Sequence, residues 1–201
     1  MRFTSLLFVV ILSTGCAGVG VVATSDPLAK LNDAEILFVQ QNRPLLAERL
    51  IREAMDIYQE QGDSRGLGHA NREYADLLLS SSVSGKWANY YRKNGFQDRT
   101  ATYDNRITKA SEYYTKALEH YARAADQFRS ANRYDYLTNV YYNMANSYYR
   151  LDDRAKACHF YDETLGAYNE NIRRNPSVKP FSPSGTVADL VSAEKKQAGC
   201  D

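Results

Sequence analysis

The side chains able to do acid–base or nucleophilic chemistry are few and scattered. His69, His120 and His159 are the only histidines. None belongs to a His-Glu-x-x-His run, and no paired-cysteine spacing of a metal site occurs. Cys158 and His159 are adjacent within a helical pattern, where successive side chains diverge by about 100°, so they form no local nucleophile–base pair. Gly66-Leu67-Gly68 supplies two glycines of the kind that cradle phosphate, but no strand precedes them and no third glycine follows, and they read as a turn. Glu73 and Asp76 stand one helical turn apart and could share a cation, although a solvated helix face is the plainer reading. These residues point away from an enzyme, and no metal or other cofactor is expected.

Cys16 carries a different chemistry. Met1-Arg2 begin with a positive charge, Phe3 to Leu12 form an apolar run broken by Thr4 and Ser5, and Ser13-Thr14-Gly15 are small. The run is shorter than the roughly 20 apolar residues of a membrane span. This segment resembles the lipobox of bacterial lipoproteins, with Leu12 one position further from the cysteine than is usual and Ser13 in its place. The resemblance implies a signal peptide over 1–15 and a lipidated Cys16 as the new N-terminus, heading a tether over 16–25. Ala17 stands where an aspartate retains many lipoproteins in the inner membrane, which implies an outer-membrane anchor facing the periplasm. An ordinary secretory signal cleaved nearby, for example after Ala23, is the alternative.

Charge agrees with attachment by lipid alone. The chain has 25 Lys and Arg against 24 Asp and Glu, and loss of Arg2 with the signal leaves 24 against 24. A neutral chain offers no footprint for nucleic acid and no polybasic membrane patch. The stretch from Ala17 to Thr24 is small and apolar, about 30 Å long if extended at about 3.3 Å per residue, which would hold a domain close to its membrane. With Cys16 assigned to lipid, Cys158 and Cys200 remain. In an exported protein such a pair is expected to be bridged, provided their Cα atoms approach within about 7 Å. A buried Cys158 with a free Cys200 is the alternative.

The elements that would position these residues are all helical. Asp26-Pro27 starts a helix with Leu28, Leu31, Ala34, Leu37 and Phe38 on one face, and Asn42-Arg43-Pro44 starts a second that stops at Gly62. A third covers about Leu67 to Leu79. The pattern breaks over 80–105, a Ser-rich and then aromatic insertion in which a helical turn near Trp87 to Tyr91 is expected. Periodicity resumes from Ile107 to Phe128, about 24 residues or about 36 Å. Segments from Tyr136 to Arg150 and from Ala155 to Arg173 form a further pair. A Pro/Ser-rich linker and a final amphipathic stretch, with Val187, Leu190 and Val191 on one side, occupy 173–201.

Helix pairs of this kind invite a repeat reading. Tyr141, Met144-Ala145 and Tyr148, with Ala157 and Tyr161, have the spacing of a tetratricopeptide repeat. Leu31, Ala34 and Phe38 with Ala47 and Ile51 fit less well, Glu35 standing where a small residue is expected. Asn71, Tyr74-Ala75 and Leu78 begin a third copy that Ala110 and Tyr114 complete across the insertion. The chain from about Leu28 to Tyr168 thus resembles tetratricopeptide-repeat proteins. The fold class is all-α: antiparallel helix pairs stacked as a short tetratricopeptide-like solenoid over 26–172, with an aromatic-rich insertion and a C-terminal capping helix.

The resemblance implies a concave groove lined by Asn139, Tyr142, Asn146 and Tyr149 in the last repeat and by Arg72, Asp76 and Leu79 in the split one. Tyr142 replaces the lysine that would assist Asn146 in carboxylate capture, so an extended peptide segment or a helix suits the groove better. Packing of Tyr142 and Tyr149 on a neighbouring helix is the competing reading. In the insertion, Trp87 and Tyr91 either contact a partner or fold back to plug the solenoid. A Cys158–Cys200 bridge would tie the tail across the exposed end of the last repeat, where repeats need a cap. The function expected is a membrane-anchored periplasmic module that binds a protein partner of the cell envelope. A dedicated inhibitor or immunity-type lipoprotein blocking one toxin or hydrolase is the alternative.

Overall fold

The computed structural model describes residues 24–176 and 186–200. Cys16, the signal and the tether as far as residue 23 lie outside the described residues, as do 177–185 and Asp201. Among the described residues every regular element is a helix.

Caps set the boundaries. The Asp26 side chain accepts from the Leu28 N–H at 2.9 Å and opens α1 (Pro27–Val39), with proline in its first turn. Helix α2 (Pro44–Gln61) ends on Gly62 at φ 65°, the left-handed conformation that glycine adopts without penalty. Asp63 then caps α3 (Ser64–Leu79) by accepting from the Gly66 N–H at 3.0 Å. Beyond α4 (Ser81–Ser84) and α5 (Ala88–Asn94) come α6 (Arg106–Ser130), α7 (Tyr134–Arg150), α8 (Arg154–Arg174) and α9 (Val187–Ala198).

Gly66-Leu67-Gly68 is not a turn but the first turns of α3. Packing overrides the poor helix propensity of glycine here. A Cβ on Gly66 would lie 2.1 Å from the Tyr58 ring, and one on Gly68 would lie 2.6 Å from the fully buried Tyr121 ring. The two glycines are where tyrosines of α2 and α6 press on the α3 backbone.

The long helices pack mainly on their neighbours in the chain: α1 on α2, α2 on α3, α3 on α6, α6 on α7, α7 on α8 and α8 on α9. Helices α1, α3 and α7 also touch in succession, so they share one side of the molecule. Ala34, Ala47, Ala75, Ala110, Ala145 and Ala157 are buried at these crossings, and Tyr74, Tyr114, Tyr121 and Tyr161 fill the space beside them.

The insertion is more ordered than its Ser-rich start suggests. Trp87 donates its indole N–H to the Asn42 carbonyl at 2.8 Å, and Tyr91 stacks on Phe96 with centroids 4.3 Å apart. Glu48 of α2, 2% exposed, accepts from the Gln97 N–H at 2.6 Å and from the Tyr74 hydroxyl at 2.7 Å. Tyr113 of α6 donates to Asp98 at 2.9 Å. The segment is thereby stitched between α2, α3 and α6.

At the other end, α9 lies on α8. Its Thr186–Asp189 capping box fixes the start, Lys195 pairs with Asp162 at 2.6 Å, and the Cys158 and Cys200 sulfurs are within bonding distance, with Cα atoms 5.6 Å apart. The apolar face of α9 differs from expectation. Val191 and Ala198 are buried and Val187 packs beside them, whereas Leu190 is 45% exposed.

Candidate functional site

Two adjoining cavities on the α1–α3–α7 side, together a trough, share Arg72, Asp76 and Arg150 in their walls. The first, about 230 Å³, lies between α3, α7 and α9 and is also lined by Tyr114, Asn146, Tyr149 and Glu194. The second, about 300 Å³, extends to α1, where Glu35, Phe38, Val39 and Leu79 line it.

A charge network forms the floor, with Glu73 buried, Arg72 and Asp76 half-buried and Arg150 exposed. Arg72 donates through Nη2 to Glu73 Oε1 at 2.5 Å and through Nη1 to Asp76 Oδ2 at 3.1 Å. The Tyr114 hydroxyl donates to Asp76 Oδ1 at 2.6 Å, and Arg150 Nε stands 3.8 Å from the same oxygen. Asp76 and Arg72 lie one turn apart on α3, the spacing at which helical side chains meet. Burial pushes Glu73 up, but the hydrogen bond from His69 and the Arg72 guanidinium outweigh it and hold that carboxyl below the usual range. Burial raises Asp76 more than Arg72 lowers it. Glu35 is raised as well, by lost solvent and then by the charge of Glu73. Glu35 thus feels the charge of both other carboxylates from an exposed position, and Asp76 that of the buried Glu73.

Of the residues expected from the sequence, the structure brings Arg72, Asp76, Asn146 and Tyr149 to one cavity, with Leu79 at the next. Asn146 also accepts from the Tyr161 hydroxyl at 2.7 Å, so its amide is oriented from behind. Asn139 is exposed on α7 and lines neither cavity. Tyr142 packs on Tyr161, with its hydroxyl 3.5 Å from Glu194 of α9, because α9 lies over the α8 end of the groove. Trp87 and Tyr91 are away from the trough. Tyr91 is 1% exposed, so it is core rather than a contact surface, and Trp87 is half-buried against the α1–α2 connection.

No family model, curated protein or solved structure matches the chain.

Glu35, Arg150 and Glu194 are trough residues that the repeat spacing alone does not single out. Glu35 had a signal, since it occupies a position where a small residue was expected. Glu194 had none, because α9 has no counterpart in the repeat pattern. Among the described residues, no group of three or more His, Cys, Asp or Glu side chains is placed to hold a metal ion.

Proposed function

We propose that this protein is a lipid-anchored interaction module of the bacterial envelope, a short tetratricopeptide-like solenoid that holds a segment of a protein partner in its α1–α3–α7 trough. The carrying observation is the trough itself, two adjoining cavities between α1 and α9 with none of the insertion's aromatic residues in their walls. Its mixture of ion pairs, tyrosine and amide suits a polypeptide, which presents backbone and side-chain hydrogen-bonding groups together. The order of helix packing, with α3 and α6 pairing across the insertion, supports the solenoid reading. An open trough favours an adaptor or assembly factor over a dedicated inhibitor, for which a filled groove was expected.

The anchor is Cys16, and the protein faces the periplasm from the outer membrane. None of the described helices is long and apolar enough to cross a membrane. Metabolic labelling with a fatty-acid analogue should mark the wild type and leave Cys16→Ser unmarked; equal labelling of both would rule out the anchor. The trough is tested by photocrosslinking in cells from position 149, which should capture an envelope protein.

A further inference from the structure

Of four carboxylates lining the trough, Glu35, Glu73, Asp76 and Glu194, only part is balanced by the guanidiniums of Arg72 and Arg150. The imbalance is greatest at the α1 end, where Glu35, Glu73 and Asp76 converge. Glu73 is engaged by Arg72 and His69, and Asp76 by Arg72 and, more loosely, Arg150. Glu35 enters no ion pair among the described residues, and the nearest charges it feels are Glu73, Arg72 and Asp76.

Beside this charge lies an uncovered apolar surface. Leu28, Ile36 and Val39 share a face of α1 and are 40%, 40% and 61% exposed, and Leu79 at the end of α3 is 40% exposed. Val39 and Leu79 line the same cavity as Glu35 and Asp76. Among the described residues no helix covers this face of α1, and a face reserved for solvent would carry polar residues in place of Leu28, Ile36 and Val39. Apolar side chains next to unbalanced carboxylates form a two-part surface.

We infer that the α1–α3 end of the trough takes an amphipathic partner segment carrying a Lys or Arg next to an aliphatic or aromatic residue. The cationic side chain enters between Glu35 and Asp76, completing the charge balance that Arg72 and Arg150 leave open. Its apolar neighbour rests on Val39 and Leu79. Charge complementarity selects this occupant over an acidic or uncharged segment, and over a second copy of a chain that presents the same acidic surface. The inference rests on the reading of the trough as a peptide site, and it adds the chemistry of the peptide.

The test is selection of random 12-residue phage-displayed peptides on the oxidised full-length protein, followed by affinity measurements on synthetic versions. Enriched peptides should pair Lys or Arg with an apolar neighbour and should bind less tightly as salt rises. Glu35→Lys should weaken them roughly tenfold, the scale of one interfacial charge pair, while Arg150→Glu should tighten them. Both side chains are at the surface, so both variants fold, and a merely structural role would not give opposite signs. Enrichment of acidic or uncharged peptides that still lose affinity on Tyr149→Ala would overturn the cationic assignment and leave the trough reading standing. Peptides indifferent to Glu35, Arg150 and Tyr149, or no enrichment at all, would overturn both. Self-association of the chain that Val39→Asp abolishes, without peptide binding, would assign the apolar face to a second copy and likewise refute the inference.

Discussion

Reducing the Cys158–Cys200 bridge, or replacing both cysteines by alanine, is expected to release α9 while α1 to α7 stay folded. The two residues are 42 apart in sequence, and closing such a loop restricts the unfolded chain by about 4 kcal/mol in the loop-entropy account. Little else holds α9. It packs on α8 and on Tyr142 of α7, buries only Val191 and Ala198 fully, and adds one surface ion pair from Lys195 to Asp162. An exposed pair of that kind contributes at most about 1 kcal/mol, and ordering a helix costs roughly 1–2 kcal/mol of backbone entropy per residue. Hydrogen exchange read by mass spectrometry should therefore show lost protection across Val187–Ala198 in the reduced protein, with α3 and α6 unchanged. Release of α9 also removes Glu194 from the trough and uncovers Tyr142. Equal protection of α9 in the two redox states would show that side-chain packing, not the bridge, docks it.

The second large effect is expected at Glu48. Its Oε1 atom accepts from both the Tyr74 hydroxyl and the Gln97 N–H, joining α2 to α3 and to the insertion. Truncation to alanine leaves two donors without a partner at about 1–3 kcal/mol each, together about 3 kcal/mol. Glu48→Gln keeps an acceptor oxygen at the same place and should cost far less. The pH dependence separates charge from hydrogen bonding. Burial raises the Glu48 pKa despite the two hydrogen bonds. A raised folded-state value means that the protonated form is favoured in the folded chain. The contribution is fully present below the ordinary carboxylate value and is lost as pH rises through the raised one. Wild type should therefore lose stability relative to Glu48→Gln across that interval in urea unfolding. Parallel stability curves for the two proteins would contradict a raised Glu48.

Helix boundaries were readable where local chemistry marks them: the Asp26 side-chain cap, Pro44 in the first turn of α2 and the left-handed Gly62 at its end. The cysteine pair was readable by counting. The glycines of α3 were not. Their reason for being there is the approach of Tyr58 and Tyr121 from other helices, which no local pattern displays. For the insertion the sequence leaves partner contact and folding back both open, because what decides between them is distant in the chain: Gln97 bonds to Glu48, 49 residues away. In the candidate site, Arg72, Asp76, Asn146 and Tyr149 followed from repeat spacing, which transfers a face from one helix to the next. Tyr142 followed the same rule but packs beneath α9, a helix that the repeat spacing does not include. Leu190 has the right period on α9, yet a helix of 12 residues resting on one neighbour has room to bury only a narrow stripe.

The account stands or falls on whether the trough is occupied by a partner in the envelope. A photoreactive phenylalanine analogue in place of Tyr149, with Glu119 on the α6 surface as the control position, decides it in living cells. The account predicts that position 149 crosslinks to one or a few envelope proteins and that position 119 does not. Absence of adducts from position 149, or the same adducts from both positions, would contradict it.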